Sequence, residues 1–265
     1  MSLHRLGVLG LSALMVFALL RSDVVSGQGR FRSFAEPQLS TPSEAYESEF
    51  YFTRLQYGSG GYGRRWGGAW TTDWPYAETH LLQGLSRLTR LATGQDGRIV
   101  NLETDELMNY PWLYAVEVGN WALSDLQAAR LREYLDRGGF LMVDDFHGVA
   151  EWEYFLDSLK LVFPDRPVIE LPETHELLHV LYDLDQRIQI PGAGAARSGR
   201  TWEKGGVTPH WRGIFDDDGR LMVAINFNMD MGDAWEHADD PSYPNPMTAL
   251  AYRFAVNYVI YAMTH

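Results

Sequence analysis

The stretch from Ser124 to Gly148 constrains the fold of this chain more than any other. Ser124 suits a helix N-cap, and Leu126, Ala129, Leu131 and Leu135 follow it at helical spacing. Arg137-Gly138-Gly139 ends that helix, because glycine enters the left-handed stop without a Cβ clash. Phe140-Leu141-Met142-Val143 is then apolar without alternation, as in a strand buried on both faces. Asp144-Asp145-Phe146-His147-Gly148 closes the strand, and another amphipathic helix is expected from about Ala150 to Phe163. Helix, doubly buried strand, sharp turn and helix form the repeating unit of a parallel sheet covered on both sides.

The flanking sequence extends this unit. Glu49 to Tyr57 is an aromatic, β-favouring run, and Gly58 to Gly68 carries six glycines. Asp73-Trp74-Pro75 reads as the start of a helix to about Leu91, with Asp73 as its cap. Arg98–Leu102, Trp112–Val118 and Val168–Leu171 read as further strands. In the last third, Trp211–Phe215 and Leu221–Asn226 flank Asp217-Asp218-Gly219, a hairpin signal. An acidic, Pro-rich loop is expected over 230–246, and a largely buried closing helix over 247–263. The expected fold class is α/β: a doubly wound, mostly parallel sheet with a C-terminal hairpin and closing helix.

His4 and Arg5, the apolar run Leu6–Leu20 and the small residues Val25-Ser26-Gly27 make residues 1–27 read as a signal peptide. Fifteen apolar residues are short for a membrane span. Residues 28–47 read as a linker and 48–265 as a single α/β domain, exported to the periplasm or secreted. No membrane association is expected beyond the signal. With 35 acidic and 22 basic side chains and a formal net charge of −13, nucleic acid is not an expected partner. The chain has no cysteine, which excludes thiolate nucleophiles and thiolate metal sites.

Several islands in order resemble a family of exported bacterial proteins, the DUF4159 domain. They are Phe52-Thr53-Arg54-Leu55-Gln56-Tyr57, Thr72-Asp73-Trp74-Pro75, and Gly138 to Asp145. Leu171-Pro172 with His175, and Asn228-Met229-Asp230 with Trp235-Glu236, complete the set. The resemblance implies a relative of the class I glutamine amidotransferase-like, flavodoxin-like fold. Enzymes of that fold carry a catalytic Cys in a turn like 144–148; here Asp144, Asp145 and His147 stand there, so glutaminase chemistry is excluded. Fold alone does not transmit function.

Doubly wound sheets bind ligands beyond the carboxyl ends of their strands. That rule, with the islands, collects Arg54, Tyr57, Asp73, Asp144, Asp145, His147 and Asp230 as ligand-binding candidates, with Glu117 and Asn120 nearby. Adjacent Asp144 and Asp145 repel and need compensation. A divalent metal on Asp144, Asp145, His147 and His175 would supply it, as would Arg54; otherwise one Asp caps the next helix while the other pairs with Arg54. His175-Glu176-Leu177-Leu178-His179 matches H-E-x-x-H, with Glu203 as a third zinc ligand by spacing, but it opens a short helix and 191–206 reads as loop. The crowded acidic loop at 230–240 lacks EF-hand spacing and reads either as a Ca²⁺ site or as a solvated loop. Arg64-Arg65-Trp66 would grip an anionic or glycan ligand or anchor its own loop. Three functions stay open. One is binding of a small polar ligand or a cell-envelope protein or glycan at the strand ends. The second is metal-dependent hydrolysis of an envelope glycan or peptide. The third is a structural role in an exported assembly, through an aromatic patch of Tyr62, Trp66 and Trp70.

Overall fold

The computed structural model describes residues 48–58, 69–185 and 187–265. The signal, the linker and most of the glycine loop with Tyr62, Arg64, Arg65 and Trp66 lie outside the described residues. Within them run β1 (Thr53–Gln56), α1 (Tyr76–Leu88), β2 (Arg98–Asn101), β3 (Trp112–Val116), α2 (Asp125–Asp136), β4 (Phe140–Asp144) and α3 (Gly148–Val162). These are followed by β5 (Ile169–Glu170), α4 (Ala193–Arg197), β6 (His210–Phe215), β7 (Leu221–Phe227), α5 (Met231–Glu236) and α6 (Asn245–Thr264).

The strands form one sheet in the order β2-β1-β3-β4-β7-β6-β5. β2, β1, β3, β4 and β7 are parallel, whereas β6 runs antiparallel to β7 and β5 antiparallel to β6. The chain leaves β1 in one direction to make β2 and then returns to its other side for β3. That reversal is the switch point at which doubly wound sheets open a crevice. Strand period two divides the core. Trp112, Tyr114, Val116, Phe140 and Met142 face α1, α5 and α6 in one cluster; Leu113, Ala115, Leu141 and Val143 face α2 and α3 in the other. Each central strand therefore has an apolar layer on both faces, which is why its sequence lacks alternation.

Local signals account for the central unit. Ser124 Oγ accepts from the Gln127 amide at 3.2 Å and Gln127 Oε1 accepts from the Ser124 amide at 3.1 Å, a complete capping box. Gly138 takes φ 104° and the Gly139 amide reaches back to Tyr134 O at 3.0 Å.

Elsewhere the structure differs from expectation. The first strand shortens to Thr53–Gln56, with Phe50 making an isolated bridge to Thr93. Asp73 does not cap α1: it adopts φ 64°, a cis Trp74-Pro75 bond follows, and Pro75 occupies the cap position without a side-chain bond. The 230–246 segment is not all loop. Asp230 caps α5, whose Met231, Ala234 and Trp235 turn inward. A short helix, α4, also interrupts the expected 191–206 loop. Trp70 is 5% exposed, so it cannot contribute to an exposed aromatic patch. Among the described residues, no helix is long and apolar enough to cross a membrane.

Candidate functional site

Four strands of the parallel set deliver polar residues to one end of the sheet. Asp73 lies in the connection after β1, Glu117 follows β3, Asp144 ends β4 with Asp145 next, and Asn228 and Asp230 follow β7. The loop at 203–208, between α4 and β6, closes against this end. Lys204 Nζ stands 2.7 Å from Glu151 Oε1 and 3.8 Å from Glu117 Oε2. Asn228 fastens that loop, its Nδ2 donating to Thr208 O at 2.7 Å while its Oδ1 accepts from the Gly148 amide at 2.9 Å. Gln189 Nε2 donates to Gly206 O and Asn228 O at 2.7 and 2.8 Å.

The centre is a cluster of carboxylates. One carboxyl oxygen each from Asp73, Asp145 and Asp230 lies within 4.8 Å of the other two. Asp73 is 9% exposed, Asp145 6% and Asp230 4%. Two glycines make the approach possible. A side chain on Gly232 would collide with Asp73 Oδ2, and one on Gly192 with carboxyl oxygens of Glu203 and Asp230. Asp144 stands beside the cluster, its Oδ2 accepting from the Met231 and Gly232 amides at 2.7 and 3.2 Å and from Tyr114 Oη at 3.2 Å.

Electrostatics follow from burial without enough cations. Burial, and then Asp233 and Asp145, hold Asp73 well above the usual carboxylate range. Burial, and then Asp145 and Asp233, do the same to Asp230. Asp144 is pushed up to about 8 by burial and then Asp145, and Asp145 to about 8 by burial and then Asp233. Glu117 rises to about 8 through burial and Asp145. Burial opposes the charge of Lys204, but Glu117 and Glu151 outweigh it and keep the ammonium protonated. Buried like charges this close cannot all ionise without a compensating cation.

His147 sits against the cluster with 1% exposure and a pKa lowered by burial. Its Nε2 lies 3.1 Å from Asp145 Oδ1, and its Nδ1 has no hydrogen-bond partner among the described residues. A neutral ring that donates from Nε2 to Asp145 leaves Nδ1 as an acceptor.

The other sequence candidates fall differently. Arg54 does not meet Asp144 or Asp145. It is fully buried in an ion pair with Glu78 of α1, and its Nη1 donates to Trp70 O at 2.9 Å and Thr72 O at 2.7 Å. Its role is to hold the backbone that carries Asp73. Tyr57 is likewise a wall residue, its hydroxyl donating to Val116 O at 2.6 Å with Glu117 O also within reach at 3.0 Å. Neither carboxylate of the Asp144–Asp145 pair caps α3, whose first residue follows His147.

His175 is not a partner of Asp144, Asp145 and His147. It lies with Asp218 and Arg220 at the turn that enters β7, whereas Asp230 lies beyond the exit. Seven residues of strand separate those ends by roughly 20 Å at about 3.3 Å per residue. The H-E-x-x-H stretch is one 3₁₀ turn, Glu176–Leu178, in which His175 Nδ1 accepts from Leu177 N. His179 turns to Asp183 and Glu173 O, so the imidazoles do not converge. Glu203, considered as a zinc ligand by spacing, instead joins Asp230 and Asp233 at Gly192.

Glu78, Gln189 and Lys204 support the site without having been singled out from sequence, whereas Asn228 stands in a sequence island and Asp233 in the acidic loop read as a Ca²⁺ site or a solvated loop. Backbone conformation marks some of them: among the described residues, the non-glycine positions with left-handed φ are Asp73, Glu117, Asp145, Lys204 and Asn228, all at this end of the sheet. Such conformations persist where surrounding structure enforces them, and they gather at functional sites.

No curated protein matches the chain. The model of a family described as a domain of unknown function (DUF4159) matches residues 51–263, and the chain belongs to that family.

Proposed function

We propose that the chain is an exported domain that holds a polar ligand in the acidic crevice beyond the carboxyl ends of β1, β3, β4 and β7. The observation that carries this reading is the convergence of five left-handed non-glycine residues and a set of buried carboxylates on one end of the sheet, where the switch-point rule places a ligand crevice. Each strained residue costs on the order of 1–3 kcal/mol, a cost that structure elsewhere in the chain must offset. A purely structural sheet end has no need of that cost. The apolar N-terminal segment supports export, which makes a cell-envelope glycan or peptide, or an envelope protein, the natural class of ligand.

The test is native mass spectrometry of the chain recovered from the periplasm or medium of its host, beside Glu117→Gln and Lys204→Ala. A co-purifying organic mass on the parent that is lost from both variants is the expected result. Identical small-molecule content in all three would overturn the reading.

The Asp145–His147 pair favours a second reading, hydrolysis of an envelope glycan or peptide. A buried imidazole oriented by a carboxylate, with its other nitrogen unengaged, is the arrangement of a general base. Release of fragments from cell-wall material by the parent but not by His147→Gln is expected under it, and no release by the parent would exclude it.

A further inference from the structure

We propose that Asp73, Asp145 and Asp230 form a site for one hard divalent cation, Ca²⁺ by preference, at the floor of the crevice. The proposal rests on the crevice being a ligand site and names what occupies it. The set differs from the one that strand-end reasoning suggests, because Asp144 turns to α5 and His175 is at the other end of the sheet.

Spacing is the first support. No pair among the three carboxyl oxygens is more than 4.8 Å apart. Oxygens on opposite sides of a Ca²⁺ are about 4.6–5.2 Å apart at Ca–O distances of about 2.3–2.6 Å, and neighbouring ones are closer. One ion of that size fits the three with little movement. Mg²⁺ demands near-octahedral order and keeps several of its waters, which a buried set of three carboxylates suits less well.

The second support is independent of the cluster's charge. Asp73 is nine-tenths buried and its carboxyl reaches into the cluster, yet its Oδ2 has no hydrogen-bond partner among the described residues. A buried acceptor without a donor costs about 1–3 kcal/mol, more when charged, and a coordinated cation removes that cost. Among the described residues neither nearby cation makes an ion pair with the cluster: Arg54 pairs with Glu78, its Nη2 left without a hydrogen bond, and Lys204 pairs with Glu151. Oxygen ligands without sulfur select hard ions over Zn²⁺ or Cu²⁺. The neighbouring group Asp233, Glu236 and His237 is a poorer candidate, because it is more exposed and Asp233 Oδ2 is occupied by the Ala193 amide at 2.7 Å.

Isothermal titration of the chelator-treated chain with CaCl₂, MgCl₂ and MnCl₂ decides the matter. One ion per chain is expected, with Ca²⁺ tightest. Affinity should fall about tenfold or more in Asp145→Asn and Asp230→Asn, both checked for native circular dichroism, and stay unchanged in His237→Gln. Absence of binding up to about 5 mM, above the weakest class of extracellular calcium modules, overturns the proposal. So does binding that survives both Asn variants. If no cation binds while an organic ligand still co-purifies with the parent and not with Glu117→Gln, only the cation assignment falls and the crevice stands.

Discussion

Replacing Asp145 with Asn should move stability in opposite directions with and without a cation. The substitution is conservative in shape. Asn tolerates the left-handed φ of 53°, and its side-chain oxygen can still accept from His147 Nε2. What it removes is the cost of holding Asp145 protonated well above the ordinary carboxylate value, or charged beside groups that repel it. Burial and Asp233 raise Asp145 to about 8, and each unit of such a rise corresponds to about 1.4 kcal/mol. Relief of a single unit at about pH 7.5, in chelator, should raise Tm by about 3–6 °C, at roughly 2–4 °C per kcal/mol for a domain of this size class. With Ca²⁺ at about a hundred times its dissociation constant, the parent gains about 2.7 kcal/mol, or about 5–11 °C, and the variant gains little. The two melting curves should therefore exchange order when CaCl₂ replaces EDTA, as read by differential scanning calorimetry. Most substitutions destabilise, so a gain in chelator is a discriminating sign. A variant less stable than the parent in both buffers would refute the reasoning, because it would mean that Asp145 serves as an ordinary structural acceptor.

Arg54→Ala leaves Glu78 buried without its partner and should cost about 3–5 kcal/mol in urea unfolding; a loss below about 1 kcal/mol would show that the pair is dispensable. In chelator, stability should fall as pH rises from about 4 to 8. Asp144, Asp145 and Glu117 keep their protons in the folded state up to about 8, while the unfolded chain gives them up near the ordinary carboxylate value, so the folded state binds more protons across that window. Tm values at pH 6, 7 and 8 that are flat or that rise with pH would contradict this. Ser124→Ala removes one half of the capping box on α2 and should cost about 1 kcal/mol, with Ser124→Asp restoring it; equal stability of all three chains would show that α2 is held by packing alone.

The central unit was legible because its signals are local. Cap, helical spacing, Gly138 and the apolar strand all lie within 25 residues, and each acts where it is written. The strand-end rule likewise brings Asp145 to the crevice from sequence, and the Asn228–Asp230 island brings Asp230. What sequence did not disclose is which carboxylates face each other. Asp144 and Asp145 are neighbours in the chain, but the left-handed turn at Asp145 sends one to the amides of α5 and the other to Asp73 and Asp230. Asp73 reads as a cap because Asp suits an N-cap and Pro75 suits a first helical turn, and only its positive φ redirects it. Glu78 looks like any solvent-facing glutamate of α1 until Arg54 is placed opposite. α5 was hidden because its acidic residues mask the inward spacing of Met231, Ala234 and Trp235. The H-E-x-x-H pattern misleads because its meaning depends on an α-helix, and this segment makes one 3₁₀ turn.

The order of strands in the sheet has a kinetic consequence. β7 is inserted between β4 and β6, so the strand that delivers Asp230 pairs with a neighbour about eighty residues before it in the chain. Asp73 is farther still, on the connection from β1. No early fragment of the chain can bring the three carboxylates together, and closing contacts over such separations is slow because loop entropy must be lost before pairing is gained. The full repulsion among the three is thus felt only when β7 docks and adds Asp230. A cation present at that moment would speed the final docking and slow its reversal, so that occupancy of the crevice reports a finished fold.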